Sequence, residues 1–238
     1  MCGRFAMGKE TNESITEFIQ STGRKPAEWS WDWEDRYNIK PTEDIAVIID
    51  SARDRELRVA AARWSLVPPW SETLKMKYPT FNARSEDILS KSTWRKPVQS
   101  HRCIVPATAY YEWTGEKGSK IPHSFSRPEG GVLGFAGLYS WWLDKTVPEN
   151  DDTRWHLTAT ILTSDAIPNL AGIHDRAPVI LPETHWQHWI DPSIVGDQTL
   201  VNDAVAAGVA QASTLRIDTV APFGINAEGP QLLTRIER

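Results

Sequence analysis

The chain begins MCGRFA, and Cys2 is the first residue whose chemistry stands out. Once Met1 is removed, Cys2 carries a free α-amine and a thiol on adjacent carbons, a 1,2-aminothiol found nowhere else in a polypeptide. The alternative is a buried small hydrophobe near a chain end, the ordinary fate of a lone cysteine. Four further stretches hold residues able to move protons or grip a ligand: RWSLVPPW (63–70), FNARSE (81–86), CIVPATAYYEW (103–113) and GIHDRAPVIL (172–181). Glu112 is the one acid in an apolar and aromatic run. As the outward residue of an alternating strand it is merely solvated. Facing an apolar pocket, it is desolvated, its pKa rises, and it exchanges protons near neutrality. His174 stands in a polar turn before an apolar strand, where it either caps the turn or moves protons. Asn82 either bonds its own turn or holds a ligand.

Other chemistries find less support. There is no Cys-x-x-Cys pair. His185 and His188 are three apart on an expected helix, but Trp186 and Trp189 define its buried side. His101-Arg102-Cys103 offers two ligand types without evident partners, and a zinc site needs three or four protein ligands. Neither a metal nor a cofactor is expected. A Gly-rich phosphate loop is missing, and so is the Gly-x-Ser-x-Gly of a hydrolase nucleophile elbow.

The elements that must position these residues read as follows. Residues 12–20 place Ile15, Phe18 and Ile19 at helical spacing behind a Thr11 or Asn12 cap. IAVIID (45–50) is a short apolar run typical of a buried strand, and LRVAAARWSLV (57–67) alternates until Pro68-Pro69 ends it. Segments 131–142 and 155–163 predict two more strands around a polar loop. Segments 181–190 and 200–210 predict helices, the first with Trp186, Trp189 and Ile190 on one face and stopped by Asp191-Pro192. TLRIDTV (214–220) predicts a last strand. Many strands without regular βα alternation point to a single α+β domain over residues 2–238, with a largely antiparallel or mixed, barrel-like sheet flanked by helices.

Composition sets the outer limits. The 238 residues are 40% hydrophobic and 24% charged, the balance of a globular domain able to bury a core. No apolar run approaches the ~18 residues of a membrane span, and no apolar signal core precedes Cys2. Two cysteines suit a reducing compartment, so a cytoplasmic location is expected; a monomer is expected as well. The formal net charge of −5 excludes nucleic-acid binding by bulk electrostatics and leaves only a local patch. Lys91, Arg95, Lys96 and Arg102 form one candidate, within an acid-free stretch between Ile88 and Tyr111. On charge alone it reads as a solvated face next to an acidic one. Twelve tryptophans are mostly core, with room for a few stacking platforms.

Taken in order, MCGRFA, RYNIKPT (36–42), RWSLVPPW, FNARSE, CIVPATAYYEW and GIHDRAPVIL resemble the SRAP family, the SOS-response-associated peptidases, from residue 2 to about 181. VAPFGIN (220–226) matches a late family segment more weakly. The resemblance implies a covalent sensor of abasic sites in single-stranded DNA, associated with the nucleoid when bound. The Cys2 amine would condense with the ring-opened deoxyribose aldehyde, and the thiol would add to the imine carbon to close a thiazolidine. Ring closure within one residue gains a large effective molarity. An α-amine titrating near ~7.7–8.0 is partly neutral at cellular pH, whereas a lysine at ~10.4 is not. The resemblance also implies Cys2, Asn82, Glu112 and His174 as catalytic residues. It implies phosphate contacts from Arg4, Arg84 and Arg176, base contacts from Pro41 and Trp70, and a further contact at Thr163. Ala109 and Ala177 depart from the usual family residues without touching a reacting atom. Two other readings use Cys2 differently: an N-terminal-nucleophile amidohydrolase of the glutamine amidotransferase kind, and a thiol peptidase acting on its own Met1.

Overall fold

The computed structural model describes residues 2–24, 34–52, 56–116 and 118–237. In chain order the elements are β1 (Phe5–Met7), α1 (Glu10–Ser21), β2 (Arg36–Ile39), β3 (Asp44–Asp50), β4 (Leu57–Trp64), β5 (Asn82–Arg84), α2 (Ser92–Ser100), β6 (Arg102–Ala107) and β7 (Ala109–Thr114). They continue with β8 (Ile121–Ser126), β9 (Leu133–Leu143), β10 (Trp155–Asp165), α3 (Pro168–Ala171), β11 (Arg176–Pro178), β12 (Ile180–Leu181), α4 (Glu183–Ile190), α5 (Gln198–Ser213) and β13 (Arg216–Thr219).

After Asp44, every residue of β3 is buried, and so is every residue of β6. Strands with no wet face need neighbours on both sides and cover on both faces. The fold provides them by closure: β10, β4, β3, β6 and β9 pair in that order, and β9 returns to β10. The β4–β10 pair is parallel and the rest of this five-stranded barrel is antiparallel. β5, β11 and β12 are short extensions on β10 and β9. A second, wholly antiparallel sheet runs β13–β8–β7–β1–β2. Phe5 joins the two, edge-on to Trp64 at 4.9 Å and to Phe135 at 5.9 Å, while Tyr110 stacks on Phe125 at 4.5 Å. This is the α+β, barrel-like architecture expected. Among the described residues no helix is long and apolar enough to cross a membrane.

The expected helices appear at α1, α4 and α5, with Trp186, Trp189 and Ile190 buried as expected and His185 and His188 turned outward. Helix α2 was not expected, because Pro97 lies inside it and removes a backbone donor. Arg102 corrects the charge-patch reading. It is 2% exposed, and its guanidinium donates to five carbonyls: Val98 and Gln99 in the last turn of α2, and Trp189, Asp191 and Ile194 at and beyond the end of α4. Helix C-termini leave carbonyls without partners and carry partial negative charge, so one buried cation caps two helices at once. The approach is tight: a Cβ on Gly196 would lie 2.1 Å from the Val98 oxygen. Arg102→Ala orphans these carbonyls, and a loss of about 3 kcal/mol of unfolding free energy is expected, read as a lower urea midpoint at unchanged slope.

Candidate active site at the amino terminus

β1 lies between β2 and β7 in the second sheet, with Phe5 opposite Tyr110 and Ala6 opposite Ala109. The Tyr111 N–H donates to the Arg4 carbonyl at 2.9 Å, so the chain ahead of β1 continues along β7 toward Glu112. Cys2 is fully buried there. Its carbonyl accepts a 2.6 Å hydrogen bond from Asn82 Nδ2. Asn82 opens β5, which is held by pairing with β10 and by the Trp64 indole, whose N–H donates to the Phe81 carbonyl at 2.8 Å. Asn82 Oδ1 is buried without a hydrogen-bond partner among the described residues. A buried acceptor left open is costly and marks a place for a donor from a ligand.

Alternation along β7 puts Glu112 on the face of Tyr110, toward the core. Tyr111 and Trp113 turn the other way and meet Phe223 at 5.1 and 5.8 Å. Glu112 is therefore 6% exposed, the apolar-pocket alternative of the two weighed from sequence. Burial raises its carboxyl above the usual range, opposed by the positive amino terminus and by His174. The same burial, reinforced by the Glu112 charge, pushes the Cys2 thiol well above its ordinary value. The thiol is held protonated beside a carboxyl that can take its proton.

His174 follows α3 in a turn closed by the Ala166 N–H donating to the Asp175 carbonyl. Its Nδ1 has two neighbours, the Arg176 N–H at 2.9 Å and an Asp175 carboxylate oxygen at 2.8 Å. Neutral with its proton on Nε2, the ring accepts from Arg176; protonated, it donates to Asp175. Cys2, Asn82, Glu112 and His174, drawn from four separate elements and loops, are thus linked by one hydrogen bond and by mutual electrostatic influence.

The expected DNA-contact residues divide. Arg84 is exposed, two residues beyond Asn82 on the same side of β5. Arg4 is half-buried, donating to Asn38 Oδ1 at 2.6 Å with its guanidinium 5.6 Å from the Trp113 ring. Asn38, not singled out from sequence although it lies in RYNIKPT, is buried and donates into the carbonyls of Gly224, Ile225 and Ala227. It ties the late VAPFGIN segment to the amino terminus. Pro41 sits half-exposed in a turn that the Thr42 N–H fastens to the Trp64 carbonyl. Trp70 is 63% exposed at the start of a loop that also offers Tyr78, 69% exposed, with Lys77 5.4 Å from its ring. Sequence reading missed Tyr78; an aromatic flanked by Lys77 and Pro79 was the available signal.

Thr163 and Arg176 stand differently. Thr163 is fully buried behind β5. Arg176 is 8% exposed, paired with both carboxylate oxygens of Glu86 at 2.7 and 3.0 Å, with Asp165 at 2.7 Å and with the Thr163 carbonyl at 2.8 Å. Its charge is engaged by two carboxylates, and its backbone N–H donates to His174 Nδ1. The reason lies in Glu86 and Asp165, distant in sequence.

The abasic site processing protein YoqW of Bacillus subtilis is 34% identical over 193 residues, 81% of each chain. The abasic site processing protein YedK of Escherichia coli is 26% identical over 213 residues, 90% of this chain and 89% of that one. A crystal structure of a protein from Bacteroides thetaiotaomicron shares the fold, with a TM-score of 0.76 at 23% identity over 99% of this chain and 100% of the other. The family model described as SOS response associated peptidase (SRAP) matches residues 1–222, past the 181 reached by the motifs. With that match over most of its length, the chain belongs to the SRAP family.

Proposed function

We propose that this protein is a covalent sensor and shield of abasic sites in single-stranded DNA. The observation that carries the proposal is the buried Glu112 carboxyl beside Cys2, with Asn82 holding the Cys2 carbonyl and leaving its own oxygen open. YoqW and YedK, named as abasic site processing proteins, support it. Removal of Met1 frees the amine; Met1 itself lies outside the described residues. His174 donates a proton to the ring oxygen and Glu112 accepts the proton of the C1 hydroxyl as the sugar opens to its aldehyde. The Cys2 amine adds to that aldehyde, and Glu112 protonates the departing hydroxyl, releasing water and leaving a Schiff base. Glu112, now a carboxylate, accepts the thiol proton as sulfur adds to the carbon of the protonated Schiff base, and the nitrogen takes up the C=N electron pair and keeps its own proton. Asn82 Oδ1 accepts from the reacting amine or a sugar hydroxyl.

Arg84 and Arg4 contact the phosphates, and Trp70 and Pro41 flank the neighbouring bases, a sequence-independent arrangement suited to single strands. Arg176 and Thr163 are positioning residues. The protein acts as a monomer in the cytoplasm, nucleoid-associated when on DNA, and needs no cofactor. A thiol-first amidohydrolase or peptidase is the weaker reading, because the thiolate is the nucleophile and burial here keeps the thiol protonated. Any peptidase activity is self-removal of Met1. Intact-mass measurement with an abasic oligonucleotide tests the proposal. The expected product is protein lacking Met1 plus oligonucleotide less one water; a protein mass left unchanged overturns it. Arg84→Ala is expected to bind intact single strands more weakly, with the slope of log K against log salt shallower by about 0.7. A wild-type slope removes Arg84 from the phosphate contacts.

A further inference from the structure

The second sheet has a polar cleft on the face opposite Glu112. Ser124 and Ser126 of β8 pair across with Tyr111 and Ala109, so they share the outward face of Tyr111, and Arg216 of β13 lies opposite Ser126. These three residues, with Thr108 and the Arg127–Gly131 turn, enclose a cleft of about 220 Å³. Its polar groups are nearly all donors. Arg127 has no carboxylate partner among the described residues. Arg216 gives its Nε to Asp218 at 2.8 Å, which leaves its terminal nitrogens, one of them 3.5 Å from the Ser126 hydroxyl. Ser124 is 3% exposed, and its hydroxyl has no hydrogen-bond partner among the described residues. Thr108 anchors the floor: its hydroxyl accepts the Gly8 N–H at 2.8 Å and meets the Thr11 hydroxyl at 3.2 Å. No aspartate or glutamate lines the cleft.

Asp218, opposite Ser124 on the same face, is buried and bound to Arg216 Nε, and the two guanidinium groups and two available hydroxyls that line the space itself are complementary to an anion with several oxygens. In a chain of net charge −5, such a concentration of donors needs a local reason. The volume is several times the ~30 Å³ of a water molecule and below the ~300–1,000 Å³ of drug-sized pockets, room for a phosphate and the sugar it esterifies. We infer that this cleft is a phosphate-ester site, separate from the reaction centre and on the other face of the sheet. The group is either the backbone phosphate of a DNA strand or the phosphate of a free nucleotide; both present the same oxygens. The site stands whether or not Cys2 captures abasic DNA.

Calorimetric titration of the whole protein with inorganic phosphate, a nucleoside 5′-monophosphate and an unmodified single-stranded oligonucleotide tests the assignment. Each is measured on wild type, on Ser124→Ala and on the double variant Arg127→Gln with Arg216→Gln, with thermal unfolding as the check on folding. The expected result is saturable binding of at least one probe, weakened tenfold or more in the double variant and several-fold in Ser124→Ala at an unchanged melting temperature. Dependence seen with the monophosphate alone identifies a free ester; dependence seen with the oligonucleotide alone identifies the DNA backbone. Binding of all three probes that is absent, or identical in wild type and both variants, overturns the site. If the double variant fails to fold, Ser124→Ala decides, and wild-type affinity for all probes overturns the site equally.

Discussion

Cys2→Ala is expected to give no adduct with abasic single-stranded DNA that survives a denaturing gel. The variant keeps the α-amine, so it still forms a Schiff base, and borohydride treatment traps that species as a stable amine. It lacks the sulfur that would close the ring, so without borohydride the imine hydrolyses. Cys2→Ser is expected to fall between, since a hydroxyl adds to an imine more weakly than a thiol. The fold tolerates the change: Cys2 is buried, but only one sulfur atom is removed, at a cost of about 1 kcal/mol. Cys103→Ala is the matched control. That thiol is equally buried and equally raised in pKa, but it sits in the barrel wall on β6, where full capture is expected to persist. A denaturation-resistant, borohydride-independent adduct from Cys2→Ala at the wild-type yield overturns the aminothiol chemistry.

How far the sequence reveals this site differs from element to element. β3 and α4 were legible because each carries a strong local signal, a run of aliphatic residues in one and paired tryptophans at helical spacing in the other. β7 was not. Its two faces are both covered, one by Phe135 of the barrel and the other by Phe223, so Tyr110, Tyr111 and Trp113 show no alternation to read. That same burial decides Glu112, whose two readings differ only in which way β7 faces. β1 and β5 are three residues each, too short for any periodic signal, yet they hold the amino terminus and Asn82. The resemblance to SRAP proteins supplied the candidate reacting residues. Only the structure could show that Arg176 is caged by Glu86 and Asp165, that Arg102 is a buried helix cap instead of a surface charge, and that Asn38 couples the late chain to Arg4.

Glu112→Gln separates what this residue does for the reaction from what it does for the fold. Gln keeps the shape and hydrogen-bonding capacity but cannot give up or take a proton, so single-turnover capture is expected to slow by ~10²–10³-fold. The residual rate should lose the pH dependence that Glu112 imposes. Stability should move the other way. Burial raises the Glu112 carboxyl in the folded protein, so between its unfolded and folded values the native state binds more protons than the unfolded chain. Wild-type stability therefore falls through that window as pH rises, and the penalty is complete above the folded value. Gln carries no such penalty, so the variant should gain stability relative to wild type as pH rises, visible as diverging urea midpoints between pH 4 and pH 8. A slow enzyme that is also the more stable one is the signature of a carboxyl buried for its chemistry. Unchanged capture rates from pH 6 to 8 would reduce Glu112 to a structural residue, and the proton-transfer scheme would fall with it.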